Sequence, residues 1–162
     1  PLSSQELGKG STNYGDNSTK NFVNSPDFSL PGKVCAFVAE NKLKMDTNHI
    51  VTLLHAANKQ GVRVDEASLG DLLSICEERG DKLGKIPTTM LFQGRSHVKD
   101  TKDRTLAPRM LRLLAVTVES CSDVFGSVNI GQCLHALRHL DAGQNEEEVK
   151  RVVVAMTSKV QE

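Results

Sequence analysis

Two histidines and a cysteine near the C-terminus are the residues of this sequence that most suggest chemistry. Cys133, His135 and His139 lie within seven residues of one another. Imidazoles four residues apart face the same side of a helix, where they can share a metal ion. The zinc-protease pattern needs a glutamate directly after the first histidine, and Ala136 occupies that position. No third ligand elsewhere in the sequence is obvious, so no metal site is predicted. A metal-dependent enzyme that uses His135 and His139 is the less favoured alternative.

A second candidate is the glycine-rich stretch GKGST at residues 8–12. Such a composition is typical of phosphate-binding loops. The Walker pattern requires a glycine five positions before the Gly-Lys pair and a hydroxyl residue after the lysine. Ser3 and Gly10 occupy these two positions instead. The stretch therefore does not predict a nucleotide site.

The cysteines of the chain indicate structural thiols rather than a nucleophile or a disulfide framework. They are far apart and show no Cys-x-x-Cys spacing, which favours buried free thiols in a reducing compartment. A nucleophile needs a base within hydrogen-bond reach. Two residues on a helix separated by two positions point to different sides, so His135 does not serve Cys133. The four cysteines are Cys35, Cys76, Cys121 and Cys133.

Charge is balanced overall but uneven along the chain. The formal net charge is zero, which removes the global signature of a nucleic-acid or membrane-surface binder. One tyrosine and no tryptophan leave few aromatic platforms for stacking bases. The segment 84–115, however, holds seven basic residues against two acidic ones. The basic residues are Lys85, Arg95, Lys99, Lys102, Arg104, Arg109 and Arg112. They are the candidate electrostatic site, with a solvated helical surface as the alternative.

The elements that position these residues are predicted to be helices. Apolar residues recur at i, i+3, i+4 and i+7, as on one side of an α-helix. Three stripes of this kind are Ile50/Leu53/Leu54/Ala57, Leu69/Leu72/Leu73/Cys76 and Met110/Leu113/Leu114/Thr117, and a fourth is Val149/Val152/Val153/Met156. Thr47, Asp65, Ser127 and Asn145 are predicted N-caps, and Gly61, Gly80 and Gly143 lie where helices should end.

The predicted helix starts recur at a regular interval. Ser4, Thr47, Gly84 and Ser127 are 43, 37 and 43 residues apart. A period of this length made of two helices predicts an α-solenoid, in which neighbouring hairpins bury each other's apolar sides. In this alignment Arg95 and Arg138 fall at equivalent positions, as do His55 and His135. The alternative is a single irregular helical bundle.

The last predicted unit resembles a known family. Its sequence, IGQCLHALRHLDAGQNEEEVKRVVVAMTSKV, is similar to the degenerate ARM/HEAT-like helical repeats of the kinetoplastid mitochondrial RNA-binding, or guide-RNA-associated, RNA-editing complex. The first helix matches through Ile130, Gly131, Leu134 and Leu137, and the second through Glu148, Val149, Val152, Val153 and Met156. The resemblance implies a non-catalytic scaffold of the mitochondrial matrix that holds RNA or protein partners.

Together these patterns predict an all-α protein, an α-solenoid of about four degenerate repeats of about 40 residues. Residues 1–30 are expected to be a polar, weakly structured or degenerate first repeat, and residues 31–162 the helical-repeat domain. We expect a non-catalytic scaffold in mitochondrial RNA processing, without cofactor, metal, membrane or small-molecule substrate. Its partners would be protein subunits, with guide RNA or mRNA as a further ligand; a purely protein-binding adaptor is the alternative. The candidate contacts are the seven basic residues above together with Arg138.

Overall fold

The computed structural model describes residues 30–138, 140 and 144–160. This part of the chain is all-helical, as predicted, and an isolated bridge between Phe125 and Val160 is its only β-type pairing. The elements are α1 (Leu30–Asn41), a 3₁₀ turn (Lys42–Lys44), α2 (Thr47–Lys59), α3 (Glu66–Arg79), α4 (Lys85–Gln93), α5 (Arg95–Val98), α6 (Leu106–Ser120), α7 (Ser127–Leu137) and α8 (Glu146–Thr157). The candidate loop at residues 8–12 and all but the last residue of the predicted segment 1–30 lie outside the described residues.

The helix starts agree with the predicted ones to within a residue. The Asp65 side chain accepts a hydrogen bond from the Ser68 amide at 2.9 Å and so caps α3, as predicted. Asn145 is the N-cap residue of α8, also as predicted. The prediction for α2 was one residue late, because the Asp46 carboxylate accepts from the His49 amide at 2.7 Å.

The N-cap of α7 differs from the predicted one, whereas α2 and α3 end at or next to the predicted glycines. The N-cap residue of α7 is Gly126 rather than the predicted Ser127. Gly80 ends α3 in the left-handed conformation, with a φ of 59°. Gly61 also has a positive φ, 66°, one residue beyond the C-cap of α2. Glycine tolerates this conformation because it has no Cβ, which explains why these helices end where the sequence predicts.

The predicted apolar stripes form most of the core. All four stripe residues of α3 and all four of α6 are buried. The apolar residues that the family resemblance assigns to α7 are not all buried, because this helix packs through Cys133, Ala136 and Leu137. Leu134, which the repeat alignment pairs with the fully buried Leu54, is 46% exposed.

The helices contact one another in two series. In the first series α2 contacts α4, and α4 contacts α7; in the second, α1 contacts α3, α3 contacts α6, and α6 contacts α8. The most extensive contacts thus join helices of the same series. Cross-contacts join α2 to α3, α4 to α6, and α7 to α8.

Each helix pair is closed by a contact from the end of its second helix to the start of its first. Asp81, after α3, accepts hydrogen bonds from the Thr47 hydroxyl and amide at 2.8 and 3.3 Å. Asp123, after α6, accepts from the Lys85 amide at 2.8 Å. After α8, the Lys159 carbonyl accepts from the Phe125 amide, also at 2.8 Å.

A buried apolar residue precedes each first-series helix by two positions. These residues are Met45, Leu83 and Phe125. Each therefore anchors the chain where one pair ends and the next begins.

Within the described ranges, no helix is long and apolar enough to cross a bilayer.

Candidate functional site

Six basic side chains line two surface clefts that share Lys99. The smaller cleft, of about 330 Å³, is also lined by Asn58, Arg63, Arg95 and Ser96. The larger, of about 840 Å³, lies between the α5–α6 loop and the start of α8. We call the six residues the basic edge: Arg63, Arg95, Lys99, Arg104, Arg112 and Arg138. Five of these six were predicted from the sequence.

Two members of the basic edge are neutralised by acidic residues. Arg63 lies 3.5 Å from the Asp100 carboxylate, and Arg112 lies 3.4 Å from that of Glu148. Asp103 also lines the larger cleft, but its carboxylate accepts hydrogen bonds from Thr105, which lower the pKa of Asp103. The other four cations, Arg95, Lys99, Arg104 and Arg138, form no ion pair with any described residue.

Arg95 is the most enclosed of these four cations. It follows α4 after Gly94, where a Cβ would lie 3.0 Å from the Leu91 carbonyl oxygen and 3.8 Å from Leu54. Gly94 has right-handed helical backbone angles, and Arg95 begins α5 directly after it and is half-buried. Burial lowers the pKa of Arg95, and the charge of Arg138 lowers it further. An anion between these two guanidinium groups would offset both effects.

Buried His97 fixes the short helix α5 that carries Arg95. Its Nδ1 accepts a hydrogen bond from the Val64 amide at 3.3 Å, so its Nε2 carries the proton and donates to the Leu54 carbonyl at 2.9 Å. The bond accepted by Nδ1 requires the neutral ring, and burial lowers the pKa of His97. His97 was not among the predicted site residues. Its partners lie 33 and 43 residues away along the chain, so local pattern gave no signal for it.

The loop between α5 and α6 is held by the first turn of α3. The Glu66 carboxylate accepts from the Lys102 amide at 2.6 Å and from the Asp103 amide at 3.3 Å. Asp100 turns the chain in the left-handed conformation, with a φ of 62°, which aspartate tolerates better than most residues. Lys99 and Arg104 therefore extend from a backbone with fixed anchor points.

Three of the predicted basic residues lie apart from the two clefts. Arg109 makes a two-pronged ion pair with Glu77, at 3.1 and 2.8 Å, and also donates to the Ser74 hydroxyl at 2.9 Å. This contact, which raises the pKa of Arg109, joins α3 to α6 and is structural. Lys85 lies at the opposite end of α4 from Arg95. Lys102 is exposed on the loop but does not line either cleft.

Arg63 is the member of the basic edge that the sequence analysis missed. It lies in the α2–α3 connection, outside the basic segment, and donates to the Lys99 carbonyl at 3.1 Å. Only the fold brings it to this position, 36 residues from its partner.

The histidines and cysteines that opened the sequence analysis are not gathered into a site. His135 is exposed on α7, and His139 lies outside the described residues. Among the residues that the structure describes, no three potential ligands are grouped to hold a metal ion. Burial raises the pKa of Cys76 and of Cys133 to about 12, so both are protonated thiols at neutral pH. Protonated thiols are poor nucleophiles.

The basic edge can therefore do one kind of chemistry well, which is to bind an extended anion. Arg95, Lys99, Arg104 and Arg138, which have no ion-pair partner in the described part of the chain, can contact successive charges of a polyanion, with polar groups of Asn58 and Ser96 beside them. Comparison of the chain with protein-family models, with curated proteins and with solved structures found no match.

Proposed function

We propose that this protein is a non-catalytic α-solenoid scaffold that binds the phosphate backbone of RNA along its basic edge. The observation that carries the proposal is the set of four cations without an acidic partner among the described residues, one of which, Arg95, is partly buried near the charge of Arg138. Of the four, Arg95 is the one that is partly buried, and burying a cation without an acidic partner costs free energy that a bound phosphate group would offset.

The solenoid architecture is supported by the order of the helix contacts. In a solenoid each unit contacts only its neighbours, so the first helices of successive units form one layer and the second helices another. The two series of contacts follow this order, and the helices of the first series start 38 and 42 residues apart. The hydrogen bonds of Asp81 and Asp123 recur at the same point of two successive pairs.

The scaffold role is supported by apolar side chains that remain exposed on the last helix pair. Val128 is 69% exposed on α7, and Val154 is 61% exposed on α8. Exposed apolar groups on the outer helices of a stacked array are suited to contact with another subunit. The resemblance of this same unit to kinetoplastid RNA-editing repeats suggests the setting, a multi-protein RNA-processing assembly of the mitochondrial matrix.

RNA binding can be tested with charge reversals that leave the fold intact. Lys99, Arg104 and Arg138 are exposed and unpaired among the described residues, so the triple change to glutamate should not alter the helical circular dichroism. We expect it to weaken the binding of single-stranded RNA and to reduce the salt slope of log K by about 2, since each lost phosphate contact accounts for about 0.7.

The matched control carries the same change in net charge elsewhere. Lys44, Lys82 and Lys150 are exposed lysines away from the basic edge, and all three are changed to glutamate. The control should keep most of the affinity and the salt slope of the unmodified protein. Equal loss in both triple variants would show that RNA senses only net charge, and no RNA binding by the unmodified protein would leave the protein-binding adaptor as the function.

A further inference from the structure

The smaller cleft of the basic edge is lined by groups that donate hydrogen bonds. Arg63, Arg95 and Lys99 contribute three cations to it, and Asn58 and Ser96 contribute an amide and a hydroxyl. Among the described residues, no carboxylate lines this cleft, whereas three carboxylates line the larger one. The two clefts therefore differ in chemistry, and the smaller one is the more suitable for a compact anion.

One short contact orients the two neutral side chains of this cleft. The Ser96 hydroxyl lies 2.6 Å from the Asn58 side-chain oxygen, a distance typical of O–H···O rather than N–H···O hydrogen bonds. The hydroxyl is therefore the donor, and the Asn58 side-chain nitrogen keeps both of its protons. No residue in the described ranges accepts a hydrogen bond from this nitrogen, which leaves it available to a ligand.

The backbone carbonyl groups beside the cleft are already occupied. Asn58 lies in the last turn of α2, where free carbonyl oxygens would place partial negative charge near an anion. The carbonyl oxygens of Ala56, Ala57 and Asn58 instead accept hydrogen bonds from the amides of residues 60–62. The helix end thus presents no free acceptor from these three residues to compete with the donors of the cleft.

The charges around the cleft match a doubly charged anion. Arg63 donates to the Lys99 carbonyl at 3.1 Å and is paired with Asp100 at 3.5 Å. Arg95 and Lys99 have no acidic partner among the described residues, so the cleft carries a net charge of two. An internal phosphodiester of RNA has a single negative charge, whereas a phosphate monoester has about 1.5–2 at pH 7. Only the monoester balances both cations.

We propose that the smaller cleft binds the terminal phosphate monoester of an RNA strand, with Arg95 and Lys99 balancing its charge and the Asn58 amide donating to its oxygen atoms. This inference deepens the proposed function and rests on it. The cleft volume, about 330 Å³, lies near the lower end of the roughly 300–1,000 Å³ typical of small-ligand sites, which fits one terminal nucleotide rather than a strand.

The larger cleft favours an RNA end over a phosphorylated peptide. Lys99 lines both clefts, so the larger one, with Arg104 and Arg138, begins where the smaller one ends. A strand whose end lies in the smaller cleft can place its following phosphates beside these cations. A phosphopeptide has no such regular series of charges after its phosphate group.

The proposal predicts a preference for RNA ends that carry phosphate. One short single-stranded RNA sequence is made with a 5′-phosphate, with a 3′-phosphate, or with hydroxyl groups at both ends, and each form competes with the same labelled strand. We expect at least one phosphorylated form to bind about tenfold more tightly than the hydroxyl form, because hydrogen bonds to a charged group contribute about that factor or more.

Two variants and a matched control locate this preference. Arg95→Gln and Asn58→Leu each remove donors of the smaller cleft at similar side-chain size, and both should abolish the preference while the helical circular dichroism is kept. Arg104→Gln removes the same charge as Arg95→Gln, but from the larger cleft. This control should weaken the binding of all three RNA forms by a similar factor and leave the preference for phosphate intact.

A nucleoside monophosphate tests the cleft without the rest of the strand. It should shift the NMR resonances of the Asn58 side-chain amide, whereas the unphosphorylated nucleoside should not. Absence of this shift together with equal affinity for the three RNA forms would overturn the terminal-phosphate site and leave the proposed function standing. A preference that survives Arg95→Gln would also overturn the site.

Two further outcomes concern the source of the phosphate. A phosphoserine peptide that binds more tightly than phosphorylated RNA would overturn the proposal, since the occupant would then be a phosphoprotein. Loss of all RNA binding, with the Asn58 shift retained, would refute both the proposed function and RNA as the source, while the anion site itself would stand.

Discussion

Replacing Arg109 with alanine should destabilise the protein and leave the proposed RNA binding unchanged. Arg109 belongs to the basic segment by sequence, but its guanidinium group reaches Glu77 in α3 through two hydrogen bonds and Ser74 through a third. Its side chain is only 22% exposed, whereas that of Glu77 is 38% exposed. The contact is therefore partly shielded from solvent at one end.

The size of the effect follows from these exposures. A surface ion pair contributes about 0.2–1 kcal/mol, and a hydrogen bond from a charged donor about 1.5–3 kcal/mol when it is well buried. Because more than a third of the Glu77 side chain is exposed, we expect Arg109→Ala to lower the free energy of unfolding by about 1–2 kcal/mol. For a chain of this length that is a decrease in Tm of roughly 2–8 °C.

The measurement is a double-mutant cycle followed by circular dichroism during thermal and urea unfolding. Glu77→Ala, Arg109→Ala and the double variant should give a coupling free energy of about 0.5–1 kcal/mol. Arg104→Ala is the control, since Arg104 is exposed and unpaired among the described residues. It should lower RNA affinity and change the stability by less than about 0.5 kcal/mol.

Two results would refute this reasoning. If Arg109→Ala unfolds at the same midpoint as the unmodified protein, the ion pair to Glu77 makes no contribution. If it weakens RNA binding as much as Arg104→Ala while remaining fully folded, then Arg109 belongs to the ligand site after all.

Three further predictions concern the core and its titratable groups. Leu91→Ala, at a fully buried position, should cost about 2–5 kcal/mol in urea unfolding, whereas Leu43→Ala, at a position 85% exposed, should change stability by less than about 0.5 kcal/mol. In the folded protein at pH 8 a thiol reagent should modify half-buried Cys35 first and spare Cys76 and Cys133, whose pKa values burial raises to about 12; equal rates for all the cysteines would contradict the burial. Burial lowers the pKa of His97, so the unfolded chain binds a proton more readily than the folded protein does. Stability should therefore be fully present above about pH 6.5 and fall as the pH decreases below it, and His97→Gln should weaken this dependence of the urea midpoint.

The helices could be predicted from the sequence because their signals are local. The stripe from Leu69 to Cys76 repeats every three or four residues, and the cap at Asp65 lies beside it. The N-cap of α2 was assigned one residue late, because Asp46 and Thr47 are both good capping residues and only the contact with His49 decides between them. The exposure of Leu134 could not be predicted, because it depends on which side of α7 meets a neighbour.

The basic edge was only partly predictable for a related reason. Counting charges identified the segment that contains Arg95, Lys99 and Arg104, but a charge count does not show where each side chain points. Arg109 turns towards Glu77, 32 residues earlier, and Arg63 enters from outside the segment. These assignments depend on the packing of one helix pair against the next, which the local sequence does not encode.

The contacts of Asp81 and Asp123 also mark the positions at which the chain can be divided and rejoined in protein engineering. Each carboxylate reaches back to the first helix of its own pair, so residues 45–82 and 83–124 are self-closed blocks with matching ends. Duplicating or removing one block at the Met45, Leu83 or Phe125 boundary keeps every such contact inside a block. In the proposed solenoid, the number of stacked helix pairs, and with it the length of the exposed surface, can then be changed in whole steps by joining gene segments at these three points.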